Sequence, residues 1–246
     1  MPHDTFPAVD IATYNIHGCI GTDRRFAPAR IIEVLHWLDA DVVALQEVGW
    51  HARGHAGFDQ FAYLAEHSGY AVHEGLTRDH SRAHFGNAIL SRLPVRAARR
   101  IDLSVPLRAP RCAVDADIEV GGRLVRVINV HLGLDPWERR IQLSRLHKAT
   151  EARPDQPMVL LGDFNEWRLE FGPFRALAHH FPNCLAPRSF HARQPLLRYD
   201  RIYASRELAF EEGLVKRSRL TRRASDHLPV HCRLGWAEAA AEDIAA

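Results

Sequence analysis

Cysteine is scarce and scattered. Four residues in 246 (Cys19, Cys112, Cys184, Cys232) include no C-x-x-C pair, which leaves a zinc ribbon or a dithiol redox motif without support. No apolar run reaches membrane-spanning length. The start, Met1-Pro2-His3-Asp4, lacks the basic and apolar regions of a signal peptide. Reduced thiols and these two absences point to the cytoplasm. Net charge is nearly missing too, at +2 with His neutral, so whole-molecule electrostatics do not mark a nucleic-acid binder. There is no internal repeat and no linker. The expectation is one domain over residues 1–246, with its core at roughly 8–235 and an Ala/Glu tail at 237–246.

What is present suits a large buried core: 46% hydrophobic and 25% charged residues. The 16 histidines make the charge sensitive to mild acid. Met158-Val159-Leu160-Leu161 is an apolar run between Pro157 and Gly162 and reads as a strand buried on both faces. Asp163 and Asn165 follow where that strand leaves the core. Val9–Tyr14 and Val42–Leu45 read the same way and end in Asn15 and in Gln46-Glu47.

Pro28 opens a helix carrying Ile31, Ile32, Leu35 and Leu38 on one face. A loop with His51, Gly54, His55 and Gly57 leads to a helix with Phe58, Phe61, Leu64 and Ala65. The polar, His-rich segment Thr77–Phe85 reads as an exposed loop. Strands are expected from Gly86 to Ser91, Ala98 to Leu103, Cys112 to Val120 and Leu124 to Val130, with Gly121-Gly122 as a hairpin turn. Asp135 at N-cap and Pro136 at N1 start a helix whose Trp137, Ile141 and Leu146 are expected to face a sheet. A short helix near Phe174 to Ala178, and strands at Arg198–Tyr203, Leu214–Arg219 and Val230–Leu234, complete the chain. Hairpins mixed with helices, without strict βαβ alternation, favour α+β layers.

Buried strands repeatedly end in polar chemistry: Asn15, Glu47, Asn129/His131, Asp163/Asn165, Asp200 and Asp226/His227. Taken singly each is ordinary, a turn former, a cap or a solvated strand end. Their recurrence is the signal. Strand ends along one edge of a layered sheet converge in space.

Six motifs carry a resemblance: Thr13-Tyr14-Asn15-Ile16-His17-Gly18, Leu45-Gln46-Glu47-Val48, Gly86-Asn87-Ala88-Ile89-Leu90-Ser91, Asn129-Val130-His131-Leu132, Gly162-Asp163-Phe164-Asn165 and Ser225-Asp226-His227-Leu228-Pro229-Val230. In this order the set resembles the endonuclease/exonuclease/phosphatase superfamily, the DNase I-like fold. The resemblance implies a four-layered α/β sandwich, with two packed mixed β-sheets flanked by helices, and phosphoester cleavage. His17 stands where apurinic-site nucleases usually carry an acid or amide. Tyr199-Asp200-Arg201 replaces the commoner Ile-Asp-Tyr. The superfamily's substrates range from nucleic acids to lipids and inositol phosphates.

The chemistry assigns expected roles. Glu47, with Asn15 and Asp226, is expected to hold a hard divalent cation through oxygen ligands: Mg²⁺, with Mn²⁺ as a substitute. Asp163 would orient or deprotonate the attacking water, and Asn165 would hydrogen-bond a phosphoryl oxygen. His227 would contact the phosphate with Asp200 fixing its tautomer, and His131 would bind a second oxygen or assist the leaving group. Arg111 and, more weakly, Asn87 are expected phosphate contacts. The basic run Lys216–Arg223 offers a local patch for an anionic surface. The expected function is an Mg²⁺-dependent phosphodiesterase acting on a lipid or small phosphodiester. A DNA or RNA nuclease is the alternative, and a non-catalytic binding module on the same fold is the second.

Overall fold

Two parallel strand pairs position everything else. The computed structural model describes residues 7–49, 57–80, 83–168 and 174–237. In one sheet the strands are β1 (Val9–Asn15), β2 (Val42–Gly49), β3 (Ala71–His80), β4 (Ala83–Ser91), β11 (Leu208–Val215) and β12 (Val230–Trp236). They lie in the order β11-β12-β1-β2-β4-β3. The other sheet holds β5 (Val95–Asp102), β6 (Cys112–Val120), β7 (Arg123–His131), β8 (Met158–Asp163), β9 (Asn183–Leu185) and β10 (Asp200–Ala204). Its order is β5-β6-β7-β8-β10-β9. β1 runs parallel to β2 and β7 runs parallel to β8; the remaining pairings are antiparallel.

The two sheets are mixed and packed face to face. Ile11, Ala44, Ile89, Val114, Val127, Val159, Leu161, Ile202 and Val230 fill the space between them. These strands are apolar on both faces because helices cover the outer faces as well. Ile31, Leu35 and Leu38 of α1 (Pro28–Leu38), with Phe61 and Leu64 of α2 (Gln60–His67), bury the outer face of the first sheet. Leu143 and Leu146 of α3 (Pro136–Glu151), with Leu177 of α4 (Arg175–His180), cover the second. A one-turn α5 (Thr221–Ala224) precedes β12. This is the expected four-layered sandwich. No helix among the described residues is long and apolar enough to cross a membrane.

The two sheets are pinned by an amide bridge. Gln46 Nε2 donates to Asn129 Oδ1 at 2.8 Å, while Asn129 Nδ2 donates to the carbonyls of Leu45 and Ala88, each at 2.8 Å. Both side chains are fully buried. Asn129 is therefore committed to the join between sheets and does not open into the site.

Several local expectations differ from the structure. Thr77–Phe85 is not a loop: β3 and β4 continue pairing out to His80 opposite Ala83. A ladder is made by the backbone, so a polar sequence can extend it beyond the body of the sheet. Trp137 lies mostly exposed and Ile141 only partly buried, while Gln142, Leu143 and Leu146 face inward. The helix phase is set by its cap: the Asp135 side chain accepts from the amides of Trp137 and Glu138, at 2.9 and 3.1 Å. β11 occupies Leu208–Val215 rather than 214–219, and the exposed acids Glu211 and Glu212 sit at a register shift that hid it. Residues 51–56 and 238–246, the His-rich loop and nearly all of the tail, lie outside the described residues.

Candidate active site

Topology explains why the polar strand ends meet. The parallel pairs place Asn15 beside Gln46 and His131 beside Asp163 at their C-terminal ends. β10 is antiparallel to β8, so its first residue, Asp200, pairs with Asp163. β12 enters beside Thr13 of β1, which brings Asp226 and His227 to the same edge.

Three backbone features complete the arrangement. The register slips between Leu45 and Val48, and Glu47 has φ of 56°. This bulge lets Gln46 stay between the sheets while Glu47 turns to the edge. Gly162 has φ of 143°, and a Cβ there would meet the Val130 carbonyl at 2.0 Å, so only glycine fits ahead of Asp163. Asn165 is left-handed (φ 50°), and its amide donates to Asp163 Oδ1 at 2.9 Å.

Asn15 joins the two acids. Its Oδ1 accepts from the His17 amide at 3.0 Å, which fixes the orientation of the carboxamide. Its Nδ2 donates to Glu47 Oε1 at 3.0 Å and to Asp163 Oδ2 at 2.9 Å. Asn15 thus presents a donor to the centre. Glu47 Oε2 has no hydrogen bond or ion pair among the described residues, and the side chain is 21% exposed. Asp226 is partly exposed and lies 3.7 Å from His17 Nδ1 at the mouth.

Two histidines flank Asp163, with opposite protonation. Nε2 of His131 and Nε2 of His227 each lie 3.7 Å from Asp163 Oδ2. Burial opposes charge on His227. Asp200, whose Oδ2 lies 2.8 Å from His227 Nδ1, and Asp163 outweigh that cost and raise its pKa to about 10. Burial pushes His131 well below the ordinary histidine value, and the Arg111 and His227 charges push it the same way. The neutral ring has Arg111 Nη1 at 3.0 Å from its Nδ1. Burial also raises the Asp163 carboxyl to about 6; the His227 cation pulls it down and Asp200 pushes it up.

The remaining expected residues are placed less directly. Asn165 Nδ2 donates to the Leu132 carbonyl at 2.9 Å, which leaves its second amide hydrogen. Asn87 is buried and donates to the Cys112 carbonyl at 2.8 Å. Arg111 Nε is buried without a partner among the described residues. Two contributors, Ser189 and Phe190, carried no sequence signal because they sit in an irregular loop, and Ser225 opens the last motif without having been given a role. Ser189 donates its hydroxyl to Asp200 Oδ2, the Phe190 ring lies 4.8 Å from the His227 ring, and the Ser225 hydroxyl donates to the Asn15 carbonyl at 2.7 Å.

Oxygen donors dominate the candidate cation positions, and no cysteine is among them. The uncommitted oxygen of Glu47 at a water-accessible edge suits a hard divalent ion that keeps part of its water shell. Asp200 Oδ1 is buried and unpaired, within the group Asp163, Asp200 and His227 that is close enough to share an ion. His147, Glu151 and His180, on α3 and α4, form a second such group.

Two packed mixed sheets with acids, amides and two histidines along one edge define the DNase I-like class. The chain belongs to the endonuclease/exonuclease/phosphatase family, whose description residues 12–227 match. Members of this family are typically hydrolases of phosphoester bonds and depend on divalent metals. The chain is 30% identical to the uncharacterized protein YbhP of Escherichia coli K12, across 91% of this chain and 95% of that protein. Among solved structures, an endonuclease/exonuclease/phosphatase from Beutenbergia cavernae superimposes with a TM-score of 0.76 at 23% identity, covering 94% of this chain and 72% of that one. A mannosyl-6-phosphatase of Bacteroides thetaiotaomicron superimposes with a TM-score of 0.71 at 19% identity, covering 92% and 99%. At such identities the structural likeness speaks for the fold.

Proposed function

We propose that this protein is a Mg²⁺-dependent phosphodiesterase of the cytoplasm, a single catalytic domain acting on a lipid or small phosphodiester. The observation that carries the reading is Asp163 held between His131 and His227 at equal distances, 3.7 Å. A carboxylate with a pKa of about 6 is a base at neutral pH with useful driving force. It accepts the proton of the attacking water, and Asn15 and the Asn165 amide hold it in place. His227, kept cationic by Asp200, meets the negative charge growing on the phosphoryl oxygens. His131 donates from Nε2 to a second oxygen or to the leaving group. The second amide hydrogen of Asn165 is available to the phosphate, and Arg111 and Asn87 back that side.

Glu47 and Asp226 would hold the cation, and Asn15 would orient the Glu47 carboxylate. Bound there, Mg²⁺ or Mn²⁺ supplies charge neutralisation at phosphorus.

The nuclease reading keeps one supporting observation, the basic run at the mouth. Part of that charge is already matched, since Arg223 donates to Asp23 Oδ2 at 2.9 Å. Duplex binding needs a broad phosphate-contacting track, and +2 net charge is a poor source of one. The mannosyl-6-phosphatase on the same fold supports a small phosphoester. The test is hydrolysis of bis(4-nitrophenyl) phosphate with Mg²⁺ and with EDTA, followed by kcat/KM for this diester, a phospholipid headgroup diester and DNA at physiological salt. EDTA-sensitive turnover, greatest on the lipid or small diester, is expected. DNA preferred by tenfold, about 1.4 kcal/mol, would make the protein a nuclease, and no turnover at all would favour a binding module.

A further inference from the structure

Exposed apolar side chains are not spread evenly. Among the described residues eight large ones are exposed; four of them (Leu107, Leu134, Trp167, Leu196) lie on loops that lead directly into site residues, and a fifth, Trp137, lies in the first turn of α3 just after the loop of Leu134. Leu107 precedes Arg111, Leu134 follows His131, Trp167 follows Asn165, and Leu196 lies on the loop that seats Phe190 against His227. Scattered apolar residues are ordinary on any surface; apolar residues gathered around one opening are not.

These loops are stitched into one surface. Arg108 meets Asp135 at 3.2 Å, linking the loops of Leu107 and Leu134. Arg139 donates to the Leu134 carbonyl at 2.6 Å and to Glu166 Oε2 at 3.0 Å, linking them to the loop of Trp167. The apolar tips are therefore held outward by polar anchors, an exposed Arg108–Asp135 pair and a buried Arg139–Glu166 pair. Leu107 is fully exposed, Leu134 76%, Trp137 60% and Trp167 56%. Across the mouth stand exposed arginines. Arg193 donates to the Thr22 carbonyl at 2.6 Å and Arg222 to the Arg193 carbonyl at 2.9 Å, next to the exposed Arg24.

We infer that the mouth docks on an anionic phospholipid bilayer. Leu107, Leu134, Trp137 and Trp167 enter the headgroup region, and Arg24, Arg193 and Arg222 face lipid phosphates. Tryptophan favours that interfacial layer because its ring is apolar and its N–H is not. Basic side chains add attraction to an anionic leaflet. The leucines decide against single-stranded nucleic acid, which is held by stacking on aromatic faces that leucine does not have. The substrate inference rests on the phosphodiesterase reading: a diester headgroup would reach Asp163 without leaving the membrane plane. Docking itself does not depend on that chemistry.

The experiment is co-sedimentation of the full chain with phosphatidylcholine vesicles, with and without about 30% phosphatidylglycerol, beside a fluorescein-labelled oligo(dT). Wild type should sediment with the anionic vesicles. Leu134→Ser/Trp137→Ser should lower the partition coefficient about tenfold or more, with turnover of bis(4-nitrophenyl) phosphate unchanged. Leu107→Asp, at a fully exposed side chain, covers the case in which the double variant does not fold. No binding to anionic vesicles, binding equal with neutral vesicles, or binding undiminished in the variants overturns the inference. So does tighter oligo(dT) binding that the same variants abolish. Vesicle binding without hydrolysis of the soluble diester would uphold docking and strike the catalytic reading alone.

Discussion

Arg111 Nη1 lies 3.0 Å from Nδ1 of His131, and an arginine can only donate. His131 is therefore protonated on Nε2, the nitrogen that faces Glu47 at 3.8 Å and Asp163 at 3.7 Å. The arginine fixes the tautomer, and it adds to the burial that keeps the ring neutral.

Arg111→Met should accordingly raise the His131 pKa, because one of the charges depressing it is gone while burial remains. Activity should fall by about 10²-fold through loss of the positioned donor. NMR titration of His131 checks it, and an unchanged curve would leave Arg111 as a phosphate contact only.

Glu47→Gln should weaken divalent binding and slow turnover, with the fold intact, because the side chain sits at a solvent-facing bulge rather than in the core. Calorimetry with Mg²⁺ or Mn²⁺ is the measurement. Equal affinity in both proteins would remove Glu47 from the cation site.

Asp200→Asn removes the leading charge that raises His227 to about 10. The folded-state pKa is above the unfolded value of about 6.5. The stability it contributes is therefore complete below that value and is lost as pH rises through about 10. Urea unfolding of the EDTA-treated protein between pH 6 and 10 should show this loss in wild type and a flatter profile in Asp200→Asn. Turnover of the variant should drop about 10²–10⁴-fold. Matching stability profiles would mean that Asp200 does not hold the imidazolium.

Asn129→Leu should destabilise without touching substrate. It takes the Asn129 donor from the carbonyls of Leu45 and Ala88 inside the sandwich, while the Gln46 amide keeps Thr13 Oγ1 and the Ala44 carbonyl. The cost should be about 2–4 kcal/mol, since unsatisfied buried groups cost about 1–3 kcal/mol each. Denaturant unfolding at neutral pH measures it; a loss under about 0.5 kcal/mol, the scale of a surface substitution, would show that the bridge is dispensable.

The legible and illegible parts of this protein differ in physical kind. Apolar runs such as Val42–Leu45 and Met158–Leu161 announced strands covered on both faces, and polar residues at their ends announced an edge. Asn15, Glu47, His131, Asp163, Asp200 and His227 do converge there. What each contributes depends on tertiary contacts that spacing does not encode. Asn129 shares a strand with His131, yet it points between the sheets. Asn15 shows its nitrogen rather than its oxygen because of the His17 amide. Ser189 and Phe190 reach the site from a loop with no periodicity. The β3–β4 hairpin was hidden because its outer part is held by backbone pairing and not by burial.

The first strand of the chain lies between β2 and the last strand, β12. Asn15 is made early and His227 only just before β12, so a nascent chain that stops short of His227 lacks the candidate site. The first sheet cannot close until Trp236 has left the exit tunnel, and pairing across that sequence distance is slow. The candidate site is therefore completed in one late step, once β12 has emerged and paired. A fragment truncated before β12 would expose the unpaired side of β1, becoming a substrate for quality control rather than a weak enzyme.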